Sequence, residues 1–307
     1  MLSEDKHLVT INPYIHIIYN ICMPYTPMKK TLVAILVMLS PLAATAQRRI
    51  YEKSDSTRIE AMLRNADSCH TGGELLLAIA NGFVGEKYIG GTLEQGAGEP
   101  LYVSCTRLDC TTFVELVLAI AKTVNDGGHR FADVCRNLET IRYRNGRNSG
   151  YESRLHYISW WITDSAKTGI IEEITPQMSK DKQPLNLNFM STHPGSYPML
   201  AESQETVKEI ELLETACRGI EVSYIPKEKT GHDGDKDIKA GDIIAITTSI
   251  PGLDITHIGF AYYNNGKLCL LHASSGKGMV IKDTTPLSEY LANNRRHTGI
   301  RVFRASF

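Results

Sequence analysis

The sequence has almost no excess of charge of either sign and no apolar run long enough to cross a bilayer. Its 33 Lys and Arg stand against 34 Asp and Glu, a formal net charge of −1. There is thus no basic surplus to hold a polyphosphate backbone, and no nucleic-acid partner is expected. The densest basic stretch, residues 136–147, spreads four Arg among polar residues and reads as a solvated helix face or loop. A phosphate-cradling loop is also lacking, because Gly90-Gly91 does not lead into a helix and no Gly-Lys-Ser/Thr follows. The seven Cys include no CxxC pair, which removes a disulfide framework and a zinc knuckle. No metal or other cofactor is expected. Internal repeats and low-complexity tracts are absent. What remains, 42% hydrophobic and 22% charged, is the composition of a globular protein with a real core.

Residues 28–46 read MKKTLVAILVMLSPLAATA. Met28, Lys29 and Lys30 form a positive start, a short apolar stretch interrupted by Pro41 follows, and Ala44-Thr45-Ala46 is a small-x-small cleavage site. The segment is expected to be a signal peptide, with Met28 the native start and residues 1–27 not part of the native protein. The mature chain then runs over 47–307 as a single catalytic domain, periplasmic or secreted, with no stable membrane insertion after cleavage. No Cys follows the cleavage site, so a lipoprotein anchor is not indicated.

Helical patterns come first, over 56–65, 74–82 and 111–124, the last closed by Asn125-Asp126-Gly127-Gly128. A mixed stretch over about 125–235 reads as a large insert and contains a helix over 202–218. Runs rich in β-branched and aromatic residues follow at 242–247, 255–264 and 267–273. Helices followed by an antiparallel sheet make the class α+β.

Leu108-Asp109-Cys110-Thr111-Thr112 places a thiol where a loop becomes a helix. That helix is apolar all round, so it is central and buried. A thiol at its N-terminus feels the positive end of the macrodipole, which favours the nucleophilic thiolate, and the free N–H groups there can bind an oxyanion. A buried inert Cys explains this position equally well on its own, and Asp109 reads as a helix cap. A nucleophilic thiol needs a base and the base an orienter; the candidates are His257 and His272. Between them Asn265-Gly266 is a two-residue hairpin signal. That register puts His272 opposite Gly259, two residues from His257, so the imidazoles are diagonal neighbours on one face with backbones about 7 Å apart. Trp160 and Trp161 are candidates for a substrate platform, Arg107 for a carboxylate partner, and the loop 193–198 for a cleft wall. Glu94 and Glu99 read as solvated.

Together these residues resemble the NlpC-type cell-wall cysteine peptidases, a circularly permuted papain-like superfamily. The resemblance rests on Gly85-Glu86-Lys87-Tyr88-Ile89-Gly90-Gly91-Thr92, Leu108-Asp109-Cys110, Gly241-Asp242, His257-Ile258-Gly259 and Leu271-His272-Ala273, in the family's order. The usual Cys-Ser-Gly is here Cys110-Thr111-Thr112, and the chain between the Cys helix and the His strand is far longer than usual. Both departures point to the N-acetylmuramoyl-L-alanine amidase-like branch found in Bacteroidetes. The resemblance implies a central Cys helix packed on an antiparallel sheet, with Cys110 as nucleophile, His257 as base, His272 as its orienter and Tyr88 in the cleft. It implies muropeptides as partners and cleavage between muramic acid and L-Ala. A cut after D-Glu within the stem peptide, a non-catalytic wall-binding module and a zinc hydrolase using the same three residues are the alternatives.

Overall fold

The computed structural model describes residues 48–66, 72–95, 98–231 and 235–307, all within one unit, Ala46–Phe307. The expected signal peptide at 28–46, residues 1–27, the expected mature start at Gln47, and Cys69 lie outside them. Among the described residues no helix is long and apolar enough to cross a membrane.

The principal helices are α1 (Lys53–Asn65), α2 (Gly72–Asn81), α3 (Cys110–Asn125), α4 (Phe131–Arg142), α5 (Ile158–Lys167), α6 (Gln204–Thr215) and α7 (Leu287–Ala292). Seven strands form one antiparallel sheet: β1 (Ile171–Glu173), β2 (Ile225–Pro226), β3 (Ile243–Thr248), β4 (Ile255–Asn264), β5 (Lys267–Ser274), β6 (Met279–Lys282) and β7 (His297–Ala305). Their order is β6-β5-β4-β3-β7-β1, and β2 also pairs with β7. The protein is therefore a mixed α+β fold with helices packed on an antiparallel sheet.

Strand periodicity explains why the sheet is covered on both faces. Ile243 and Ala245 point into the main core with Phe113 and Phe260, while Ile244 and Ile246 point into a second core with Leu287 and Leu291 of α7. A strand buried on both sides reads as an unbroken apolar run, as Ile243-Ile244-Ala245-Ile246 does. Helix α3 is buried nearly all round: Phe113, Val114, Leu116, Val117, Leu118 and Ile120 are all inside. It packs between the sheet and α1, α2 and α4.

The β4–β5 hairpin has the register that its turn dictates. Asn265 (φ 50°) and Gly266 (φ 77°) both take positive φ, as a type I′ turn requires, and Asn264 pairs with Lys267 through to Phe260 with Leu271.

Within the stretch 125–235, β1 and β2 hydrogen-bond to β7, and α4 packs along α3. Two expectations need correction. Residues 136–147 are not simply solvated, since Arg142 is 2% exposed and its Nε lies 2.7 Å from Glu115 Oε2. Nor are Glu94 and Glu99 free in solvent. The buried Arg154 pairs with both, and Tyr151 and Tyr143 donate hydrogen bonds to them. Buried guanidinium groups need carboxylate partners, and these pairs supply them.

Candidate active site

Cys110 is the first residue of α3. Asp109 caps the helix reciprocally: its Oδ1 accepts from Thr112 N–H at 2.8 Å, and its own N–H donates to Thr112 Oγ1 at 2.9 Å. The cap occupies the third N–H of the helix, so those of Cys110 and Thr111 are left by position without a helical partner. The sulfur meets the N–H of Ile258 and the backbone and hydroxyl of Thr111. The ladder between β4 and β5 runs only as far as Phe260–Leu271, which leaves that edge of β4 open to the thiol.

The thiol is not poised as a thiolate. Burial, and then the Asp109 carboxylate, push Cys110 up to about 11, although Ile258 and Thr111 pull the other way. This corrects the expectation drawn from the macrodipole. The helix end and its donors act, but burial and the neighbouring anion outweigh them.

His257 on β4 and His272 on β5 share a face. Their Nε2 and Nδ1 atoms are 2.5 Å apart, with ring planes at 83°. Gly259 makes this possible, since a Cβ there would fall 2.8 Å from His272 Cβ. Tyr290 of α7 packs against both rings, at 6.2 and 5.6 Å between centroids, and lies close enough to Cys110 for their charges to interact. Burial, then His272 and His297, hold His257 down to about 3. Burial also lowers His272, which is 0% exposed, while Asp283 opposes that shift with Oδ2 3.6 Å from His272 Nε2. Cys110 and His257 are each partly accessible. The structure thus gathers at the N-terminus of α3 a thiol held above its ordinary range and the β4 segment His257–Ile258, whose imidazole is held below its ordinary range, with a second imidazole and a carboxylate behind it. Such a set can move a proton from sulfur to nitrogen as the sulfur attacks an electrophile.

Tyr88 lies beside the thiol. Burial, then Cys110 and Asp109, push its phenol up to about 12. Arg107 is partly exposed and reaches Gln95 Oε1 at 3.4 Å. Trp160 and Trp161 do not form a platform: they are 4% and 1% exposed. Trp160 Nε1 donates to Cys217 Sγ at 3.1 Å, and both indoles belong to the core that α5 builds. A cavity of about 200 Å³ lies beside the Cys110 segment instead, lined by Asp109, Thr111, His156, Tyr157, Met190 and Tyr197. Tyr197 comes from the loop 193–198, so that loop does reach the cleft. Sequence reasoning missed Asp283 and Tyr290. Asp283 carries one faint signal: it opens a turn at the end of the strand that pairs with the His272 strand.

Residues 78–300 match the family described as N-acetylmuramoyl-L-alanine amidase-like (AmiA-like). The fold is similar to the crystal structure of an N-acetylmuramoyl-L-alanine amidase from Bacteroides uniformis, with 42% identity and a TM-score of 0.73 over 76% of this chain and 98% of that one. It is also similar to a Bacteroides fragilis protein described as a “putative xylanase”, with 47% identity and a TM-score of 0.71 over 74% of this chain and 99% of that one. The protein LPG0564 from Legionella pneumophila shares the fold at 22% identity, with a TM-score of 0.62 over 81% and 94%. No curated protein matches the chain.

Proposed function

The chain belongs to the N-acetylmuramoyl-L-alanine amidase-like family, and from this premise we propose that it is a cysteine amidase cutting the bond between muramic acid and L-Ala in peptidoglycan. The observation that carries the mechanism is the placing of Cys110 against the N–H of Ile258, the residue after His257, with His257 in turn hydrogen-bonded to His272. On this reading Cys110 Sγ attacks the amide carbonyl as its proton passes to His257. The N–H groups of the first turn of α3 bind the oxyanion. The imidazolium protonates the leaving L-Ala amine, and then the neutral imidazole activates water to free the lactyl acid from the thioester. The fold that carries this chemistry is the circularly permuted papain-like one.

A xylanase reading rests on a relative's name, and the carboxylates beside this cleft do not favour it. Glycosidases need two free carboxyl groups flanking the scissile bond. Here Asp109 is spent on the helix cap, Glu115 on Arg142 and Glu94 on Arg154. A wall-binding module, for its part, needs no thiol beside a base. Export by the segment 28–46 places the enzyme on the far side of the inner membrane, where peptidoglycan lies. N-terminal sequencing of secreted material should begin at Gln47, and a chain retaining Met1 overturns export.

The deciding experiment is mass spectrometry of muropeptides and of xylan oligomers after incubation. A free sugar-lactyl acid with a peptide beginning at L-Ala is the expected result. A peptide beginning at the diamino acid would keep the mechanism and move the cut to D-Glu. Activity on xylan alone would overturn both.

A further inference from the structure

We propose that Asp283 decides which nitrogen of His257 is free to take the thiol proton, acting through His272. The proposal rests on Cys110 and His257 being nucleophile and base, and it assigns Asp283 a positioning role.

A neutral imidazole carries one N–H and one lone pair, and a carboxylate only accepts. His272 is wholly buried, and both of its nitrogens have defined surroundings. Its Nδ1 faces His257 Nε2 at 2.5 Å, and its Nε2 faces Asp283 Oδ2 at 3.6 Å with no other hydrogen-bond partner among the described residues. The His272 proton therefore belongs on Nε2, pointing at the carboxylate, and His272 Nδ1 is an acceptor. His257 Nε2 must then be the donor, which leaves His257 Nδ1 as a lone pair. The opposite arrangement would aim a buried lone pair at a carboxylate. It would also put the proton of His257 on Nδ1, where it blocks transfer from sulfur. The other titratable groups packed against His257, namely Tyr290 and His297, bring no negative charge that could set this order.

Asp283 is held for the task. It follows β6, whose Ile281 pairs with His272. Its N–H donates to Leu270 O at 2.9 Å, its carbonyl accepts from Tyr262 Oη at 2.5 Å, and its Oδ1 accepts from Thr285 N–H at 2.9 Å. Oδ2 is thus the oxygen turned to the imidazole. Burial works against the charge, yet Thr285 and His272 keep the carboxyl below its ordinary range. When the thiol proton reaches His257 Nδ1, the new positive charge spreads toward His272 and is stabilised by Asp283 without proton transfer to the carboxylate. The 3.6 Å gap is of the kind that shortens once the charge forms.

The test uses the whole chain as wild type, Asp283→Asn, Asp283→Glu and Cys110→Ala. Imidazole ¹⁵N NMR should show His257 protonated at Nε2 and bare at Nδ1 in the wild type. In Asp283→Asn, whose amide can donate as well as accept, the order should be mixed or reversed. There kcat should fall about 10²- to 10⁴-fold, as when a triad carboxylate becomes an amide, with KM unchanged and slower alkylation of Cys110 by iodoacetamide. Asp283→Glu should restore part of both rates. Wild-type turnover or an unchanged imidazole order in a folded Asp283→Asn overturns the proposal. If that variant does not fold, wild-type His257 protonated at Nδ1 overturns it instead. Full turnover in Cys110→Ala would sink the parent mechanism. A dead Cys110→Ala beside a wild-type-like Asp283→Asn would sink only the role of Asp283.

Discussion

At the tip of α3, Cys110 meets the N–H of Ile258, the residue after His257, and His257 meets His272, whose Nε2 faces Asp283 at 3.6 Å. One turn along the same helix, Glu115 is clamped by Arg142, whose Nη1 also donates to Tyr102 O at 2.6 Å. Beyond it Arg154 is shared by Glu94 and Glu99. Both clusters are buried and polar, and they differ in how burial is tolerated. Along the side, charge meets charge in fixed geometry. At the tip, burial disfavours the charged form of the Cys110 thiol and of the His257 imidazole alike.

The sharpest break of this contrast is chemical. Cys110→Ala and His257→Ala should each cost at least about 10⁴-fold in kcat, because the groups act as a unit. Circular dichroism and the urea midpoint should stay close to wild type, because the tip carries little structural charge. A variant that unfolds would show that the tip is structural after all.

Glu115→Ala should do the reverse. It leaves Arg142 buried and unpaired and should cost about 3–5 kcal/mol of stability. Replacing the pair together, Glu115→Leu with Arg142→Met, should recover most of that loss in a urea titration. A neutral single variant would mean that this side is held by packing alone.

The third lever is pH. Burial first, then its two neighbouring histidines, hold His257 near 3, against an ordinary value of 6.5. His156 is lowered well below 6.5 in the same sense, by burial and by Arg154. Between those values the unfolded chain binds protons that the folded chain refuses. Stability should therefore be full above about pH 6.5 and fall as the pH drops toward 3. His257→Phe should make the urea midpoint less steep over that window, while Glu115→Leu with Arg142→Met should not. Equal slopes in all variants would remove His257 from the account. Smallest of all, Gly266→Ala should cost about 1 kcal/mol through its positive φ, far from both clusters, with kcat unchanged. A fall in kcat would show that the turn governs the histidine register.

What was legible in the sequence was what short-range rules govern. Asn265-Gly266 set the hairpin, the hairpin set the register, and the register put His257 and His272 on one face. The apolar run behind Cys110 marked the central helix. The misreadings concern groups whose state depends on distant partners. Arg142 pairs with Glu115 and Glu94 with Arg154 across long stretches of chain, so Arg142 and Glu94 looked like solvated charges. Trp160 and Trp161 were candidates for a substrate platform because a sequence does not show which indoles are covered, yet both are buried on α5. The protonation of Cys110 was misjudged because the macrodipole is visible in a sequence and the burial of the sulfur beside Asp109 is not.

A thiol held near 11 has a consequence for the lifetime of the protein. Thiolate is the form that attacks peroxides and disulfides, and climbing the oxidation ladder starts from it. Resting Cys110 offers almost none of it, although it is partly open to solvent. If Cys110 is the nucleophile proposed above, it rests in its inert form and becomes vulnerable only in the moments when a substrate draws the proton away.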